Sequence, residues 1–241
     1  PIVNALPTGI TFGTPATVTT GGQPIALAPA DVDSDGDLDI VVADFGGSRL
    51  VPLLNTAGTL TTGANITLAP GVSDVASGDL DGDGDTDLAA VCQTDRSVFV
   101  IINNAGVLTP TRVAMGFAPS KVKVGDLNND TSPDLAILGS NGFATYLSQG
   151  GVLTNVVEYP GPPDTQSHAW AALELADMDR DGDLDMIATQ TVTPGGVALI
   201  ENLGGSAGRA PGSFRAGVGQ ALGEYYLNLN VAGAQPSDPD P

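Results

Sequence analysis

The sequence holds one cysteine, one histidine, one tryptophan and only 8 lysines and arginines in 241 residues. Each shortage removes a class of answer. A single thiol, Cys92, cannot build an intrachain disulfide framework, and its setting (Leu88-Ala-Ala-Val-Cys92) is that of a small buried hydrophobe. The lone His168 stands beside Ser167, which is not a triad, because catalytic partners converge in space rather than in sequence. With 8 basic residues against 28 acids there is no patch to displace counterions from a phosphate backbone, so nucleic acid is not the expected partner. No run approaches the ~18 apolar residues of a transmembrane helix. A 3.6-residue periodicity is missing throughout, and the Val, Ile, Thr and Gly content disfavours helices. The chain opens on Pro1 rather than Met, as a processed or trimmed polypeptide would.

What the sequence does contain is punctuation. Its 32 glycines and 18 prolines fall between short apolar runs, and 41% of residues are hydrophobic, so they read as turns of a many-stranded protein. One stretch organises the rest. In Asp31-Val-Asp33-Ser-Asp35-Gly36-Asp37-Leu-Asp39 every second residue is acidic. The pattern returns as Asp79-Leu-Asp81-Gly-Asp83-Gly-Asp85-Thr-Asp87 and as Asp177-Met-Asp179-Arg-Asp181-Gly-Asp183-Leu-Asp185. A weaker copy, Asp126-Leu-Asn128-Asn-Asp130-Thr-Ser132-Pro-Asp134, lies between them. The starts at 31, 79, 126 and 177 are 48, 47 and 51 residues apart, the mark of a repeat architecture. The four loops hold 18 of the 28 acids, so the formal charge of −20 belongs to them and not to a general acidic surface. Carboxylates packed this densely repel one another unless a cation sits among them, and Ca²⁺, which takes six to eight oxygen ligands, suits the task. Glycine at the sixth position suits a sharp turn with φ > 0.

Each repeat reads as four strands. A strand leads into the acidic loop, a strongly apolar strand leaves it, a third follows, and a more polar fourth segment closes the unit. The expected fold is all-β, a β-propeller of four-stranded blades at about 24–70, 71–118, 119–167 and 168–222. Strand-like residues at 10–20 and 224–231 form a partial fifth blade, completing a domain over 1–234, and 235–241 is a Pro/Asp tail. The ring closes through that half-blade, through further blades of a longer chain, or through a neighbouring subunit.

An EF-hand needs a bidentate Glu at position 12, where this chain has Val42, Ala90, Ile137 and Ala188, so that reading fails. The repeated D-x-D-x-D-G-x-x-D between strands instead resembles the FG-GAP/VCBS repeats of integrin-α-like propellers and of many extracellular proteins, over about residues 10–231. The resemblance implies Ca²⁺ in the hairpin between the first two strands of each blade, held by positions 1, 3, 5 and 9 and by the main chain at 7. The implied ligands are Asp31, Asp33, Asp35 and Asp39 with Asp37; Asp79, Asp81, Asp83 and Asp87 with Asp85; and Asp177, Asp179, Asp181 and Asp185 with Asp183. The third set, Asp126, Asn128, Asp130 and Asp134 with Ser132, has fewer charges and is expected to be the weakest.

The resemblance further implies an extracellular or cell-surface adhesion, assembly or structural module, not an enzyme, with protein or glycan partners or self-association through incomplete blades. A calcium-dependent lectin is the alternative. For it the aromatic and imidazole residues to consider are Tyr146, Tyr159, His168, Trp170, Tyr225 and Tyr226, few for a sugar-stacking surface.

Overall fold

The computed structural model describes residues 17–140, 142–148, 152–160, 170–190, 196–202 and 214–216. These contain strands and no helix, grouped into four antiparallel sheets, each a meander in chain order. The first sheet holds β1 (Pro24–Ala30), β2 (Asp39–Asp44), β3 (Arg49–Thr56), β4 (Thr59–Thr62) and β5 (Ile66–Thr67). The second holds β6 (Val72–Gly78), β7 (Asp87–Cys92), β8 (Ser97–Asn104) and β9 (Val107–Ala114). The third holds β10 (Pro119–Gly125), β11 (Asp134–Gly139), β12 (Gly142–Ser148) and β13 (Leu153–Pro160). The fourth holds β14 (Trp170–Ala176), β15 (Asp185–Gln190), β16 (Gly196–Asn202) and β17 (Phe214–Ala216).

The apolar second strands show how the sheets stack. Period-2 alternation sends successive side chains to opposite faces, and both faces are covered. Leu88, Ala90 and Cys92 of β7 join Val41, Ala43 and Leu50 in the core between the first two sheets. Ala89 and Val91 point the other way, into a core with Leu135 and Ile137 of the third sheet. Ala136 and Leu138 then meet Met186 and Ala188 of the fourth. Hence every residue of β7 and β11 is buried. Cys92 lies in this interior, where burial pushes its thiol up to about 11.

The first strands of consecutive sheets lie side by side, β1 by β6, β6 by β10 and β10 by β14. Ser77 Oγ donates to the Pro29 carbonyl at 2.7 Å, and Val122 N–H donates to Asp74 Oδ2 at 3.1 Å. The approach requires small residues: a Cβ on Gly78 would stand 2.6 Å from Val124 Cγ1. The second residue of each of the first three loops covers the sheet that follows. Val32, Leu80 and Leu127 are buried in the three successive intersheet cores, whereas Met178 of the last loop is 54% exposed.

Two expectations change. Residues 17–20, the described part of the expected N-terminal strand, form no strand; Val18 instead packs against Val42, Val51 and Leu53 on the outer face of the first sheet. The remainder of both terminal strand segments and the tail lies outside the described residues. The fourth segment of the first repeat is also split into β4 and β5. The Pro52 carbonyl accepts from Gly63 N–H on the side facing the outer strand, so the N–H that proline lacks would have pointed there as well.

Candidate metal centre

Each loop spans the eight residues between the paired ends of strands one and two: Ala30 pairs with Asp39, Gly78 with Asp87, Gly125 with Asp134, and Ala176 with Asp185. The ninth position therefore belongs to the second strand, while the first eight form the loop. The four loops, numbered here 1 to 4, share one hydrogen-bond scheme. The first carboxylate folds back onto loop N–H groups: Asp31 accepts from Asp35 and Gly36 (3.2 and 3.0 Å), and Asp79 from Gly82 and Gly84 (2.7 and 3.0 Å). Asp126 accepts from Asp130 and Thr131 (3.2 and 2.8 Å), and Asp177 from Arg180 and Gly182 (2.7 and 3.2 Å). Oδ1 at the fifth position takes the N–H of the seventh, as in Asp35 with Asp37 (2.8 Å) and Asp83 with Asp85 (2.9 Å). This path needs a left-handed residue at position six, met by Gly36 (φ 91), Gly84 (φ 96) and Gly182 (φ 97). In loop 3 Thr131 sits there at φ 72, a conformation that costs a β-branched residue energy.

The ninth carboxylate is a buried clamp. Asp87 Oδ2 accepts from Leu80 N–H at 2.6 Å and Oδ1 from Asn103 N–H at 2.7 Å, tying the loop's start to the end of the third strand. Asp39 does the same with Val32 and Asn55, Asp134 with Leu127 and Ser148, and Asp185 with Met178 and Asn202.

In three loops the first, third and ninth carboxylates converge. The groups Asp31, Asp33, Asp39; Asp79, Asp81, Asp87; and Asp177, Asp179, Asp185 each place an oxygen within 4.8 Å of the others. The donor set is oxygen only, which fits a hard cation. The electrostatics agree. Desolvation followed by neighbouring carboxylates pushes Asp33 and Asp183 above the usual range, and burial is the main cause for Asp81, Asp87 and Asp179. Asp134 is pushed up to about 6, by burial first and then by Asp130 and Asp126. A cation among these groups would reverse the cause of repulsion.

The fifth carboxylates Asp35, Asp83 and Asp181 stand outside those groups. Loop 3 holds no such group: Asn128 replaces the third carboxylate, and its Nδ2 donates to Asp130 Oδ2 at 3.1 Å. The seventh position, expected to act through its main chain, also uses its side chain. Asp37 Oδ2 accepts from Ala57 N–H (3.3 Å) and Asp85 Oδ2 from Ala105 N–H (2.7 Å), anchoring the next hairpin. Asp183 is buried and accepts instead from Asn129 Nδ2 of the preceding sheet's loop, with Ser132 in the corresponding place in loop 3. Of the candidate sugar contacts, Tyr146 packs against the second core and Trp170 against the third, and Tyr159 stacks on Phe143 with ring centroids 4.5 Å apart. His168, Tyr225 and Tyr226 lie outside the described residues.

The asparagines near the end of the third strand in the first, second and fourth sheets were missed by reading the acidic pattern alone. Asn55, Asn103 and Asn202 follow their loop's first Asp by 24, 24 and 25 residues, so the same repeat period could have exposed them. Each donates N–H to the ninth carboxylate and its side-chain amide to the carbonyl of the eighth residue: Leu38 (3.1 Å), Thr86 (3.2 Å) and Leu184 (3.2 Å).

No curated protein matches the chain significantly. Among solved structures it resembles a protein from Lactobacillus plantarum (TM-score 0.50, 14% identity, covering 80% of this chain and 54% of that one). It also resembles a putative 6-phosphogluconolactonase from Bacteroides uniformis (TM-score 0.52, 10% identity, covering 80% and 53%). A lower score of 0.46 relates it to the V. cholerae biofilm matrix protein Bap1 (19% identity, covering 74% and 26%). For the first two structures the likeness is one of fold alone, and the chain spans 54% and 53% of their lengths. The FG-GAP-like repeat profile matches residues 31–90, 79–137 and 126–188, each match running from one acidic loop to just beyond the next. Loop spacing, sheet order and this threefold match together identify the chain as a member of the FG-GAP-like repeat family.

Proposed function

We propose that the chain is a calcium-stabilised β-propeller module of the extracellular space or cell surface, non-catalytic, serving adhesion, assembly or surface architecture. The observation that carries this reading is the gathering of three carboxylates at the same place in three of four repeats. Asp31, Asp33 and Asp39, with their counterparts in loops 2 and 4, would hold Ca²⁺ there, aided by the fifth carboxylate and the seventh carbonyl. In loop 3 Asp126, Asn128, Asp130 and Asp134 would form a weaker site. The propeller reading is supported by four meanders that pack face to face in chain order with their first strands adjacent. The ion's contribution is mechanical: it joins two strands whose junction otherwise carries like charges.

At a free ion concentration of 100 times Kd, one site adds about 2.7 kcal/mol. For a chain of this length that is about 5–10 °C of Tm per site. Thermal melting in millimolar calcium and in excess chelator tests the reading. The expected result is a fall in Tm of at least one site's worth in chelator, restored by calcium; superimposable curves would defeat it.

A further inference from the structure

The acidic loops are not independent of one another. Asn103 is fixed within the second sheet by Asp87 Oδ1, by the Thr86 carbonyl and by Gly106 N–H, which donates to its Oδ1 at 2.9 Å. Its Nδ2 also donates across the sheet boundary to the Asp31 carbonyl of loop 1, at 3.3 Å. The adjoining turn reinforces the link. Ala105 N–H is held by Asp85 of loop 2, and Gly106 lies so near loop 1 that a Cβ there would stand 3.1 Å from the Asp33 carbonyl oxygen. Residues fastened by loop 2 thus abut the main chain of positions one and three in loop 1.

The same arrangement joins loops 3 and 4. Asn202 takes the Asp185 clamp and donates to the Leu127 carbonyl of loop 3 at 2.6 Å, while Asn129 of loop 3 donates to Asp183 and to the Gly182 carbonyl of loop 4. Between loops 2 and 3 the pattern stops. There the asparagine is replaced by Ser148, whose buried hydroxyl has no partner among the described residues, and no side-chain hydrogen bond joins loop 2 to loop 3 among them.

We propose that Asn103 and Asn202 yoke the loops in two pairs, 1 with 2 and 3 with 4, so that a divalent cation held in one loop of a pair strengthens binding in the other. This rests on the calcium reading above. Its physical basis is shared ordering: a cation that stiffens loop 2 fixes Asn103 and the turn at Gly106, and loop 1 then loses less conformational freedom when its own cation binds. By linkage the effect is reciprocal.

Calcium titration of the labelled full chain by amide NMR tests it, with Gly36, Gly84, Thr131 and Gly182 reporting loops 1 to 4. Asp81→Asn weakens loop 2 with a residue that loop 3 already tolerates at that position, Asn128. The expected result is that the Gly36 midpoint moves to about 5-fold higher calcium while Gly182 stays in place. In an Asn103→Ala background, Asp81→Asn should no longer move Gly36. A Gly36 midpoint indifferent to Asp81→Asn, with calcium still binding at both loops, overturns the pairing. An absence of calcium-dependent shifts in the unaltered chain would instead overturn the calcium reading.

Discussion

Loops 2 and 3 follow the same path with different chemistry. Both fold their first carboxylate onto loop N–H groups, and both bury a ninth carboxylate between the second residue and the end of the third strand. Around these shared clamps loop 2 carries Asp81, Gly84 and Asp85 where loop 3 carries Asn128, Thr131 and Ser132. Only loop 2 brings three carboxylates together. The first and ninth carboxylates, common to both loops, hold the backbone course, whereas the third carboxylate, present only in loop 2, completes the group open to a cation, so path and charge can vary separately.

The strongest test of that separation removes the clamp from each loop in turn. Asp87→Ala and Asp134→Ala each leave two buried N–H groups without an acceptor, a loss of about 2–6 kcal/mol in chelator for either variant. In calcium, Asp87→Ala should lose about 2.7 kcal/mol more from its cation and Asp134→Ala distinctly less. Denaturant unfolding in both conditions checks this, and equal calcium-dependent losses would erase the distinction.

A control comes from a buried carboxylate whose positive partner belongs to the chain. The Asp44 side chain is fully buried and accepts from Gln23 N–H, Gly47 N–H and Arg49 Nε at 2.7, 3.0 and 3.0 Å. Burial opposes its ionisation, but those two N–H groups and the guanidinium prevail and hold it below the usual carboxylate range. Its stabilisation is therefore complete above the unfolded value near 3.9 and is lost as pH falls through the lower folded value. Arg49→Met should cost about 3 kcal/mol, the same in calcium and in chelator. A cost that depended on calcium would link this site to the loops.

The smallest expected change sharpens the comparison most. Asn128→Asp gives loop 3 its missing carboxylate. It should tighten calcium there by ~3-fold through added ligand charge. In chelator it should lower stability by less than about 1 kcal/mol, the scale of exposed charge pairs. Opposite signs in the two conditions are the signature, read from paired melts and a calcium titration.

Much of this was legible in the sequence because the repeat reports itself. A period of 47 to 51 residues placed each loop between its first and second strands, and the unbroken apolar runs at Leu88–Cys92 and Leu135–Leu138 marked strands covered on both faces. What stayed hidden is what depends on a neighbour in space. Asn103 reaches a carbonyl 72 residues away, and no local pattern marks such a bond. The side chains of Asp37 and Asp85 could not be separated from the neighbouring carboxylates by type, since every other residue there is also Asp. The split of the fourth segment at Pro52 depends on which side of β3 its absent N–H would face. Residues 17–20 alternate like a strand but find no strand partner among the described residues.

The burial of Val32, Leu80 and Leu127 beneath successive sheets, with Met178 left bare, has a consequence for how such chains change over time. The rule for adding one unit to the next is contained within a single unit and is silent on how many there should be. Duplicating a whole unit would repeat this apolar cover against the next sheet, but not the hydrogen bonds between loops, which Asn103 and Asn202 make at two junctions and Ser148 does not make at the third.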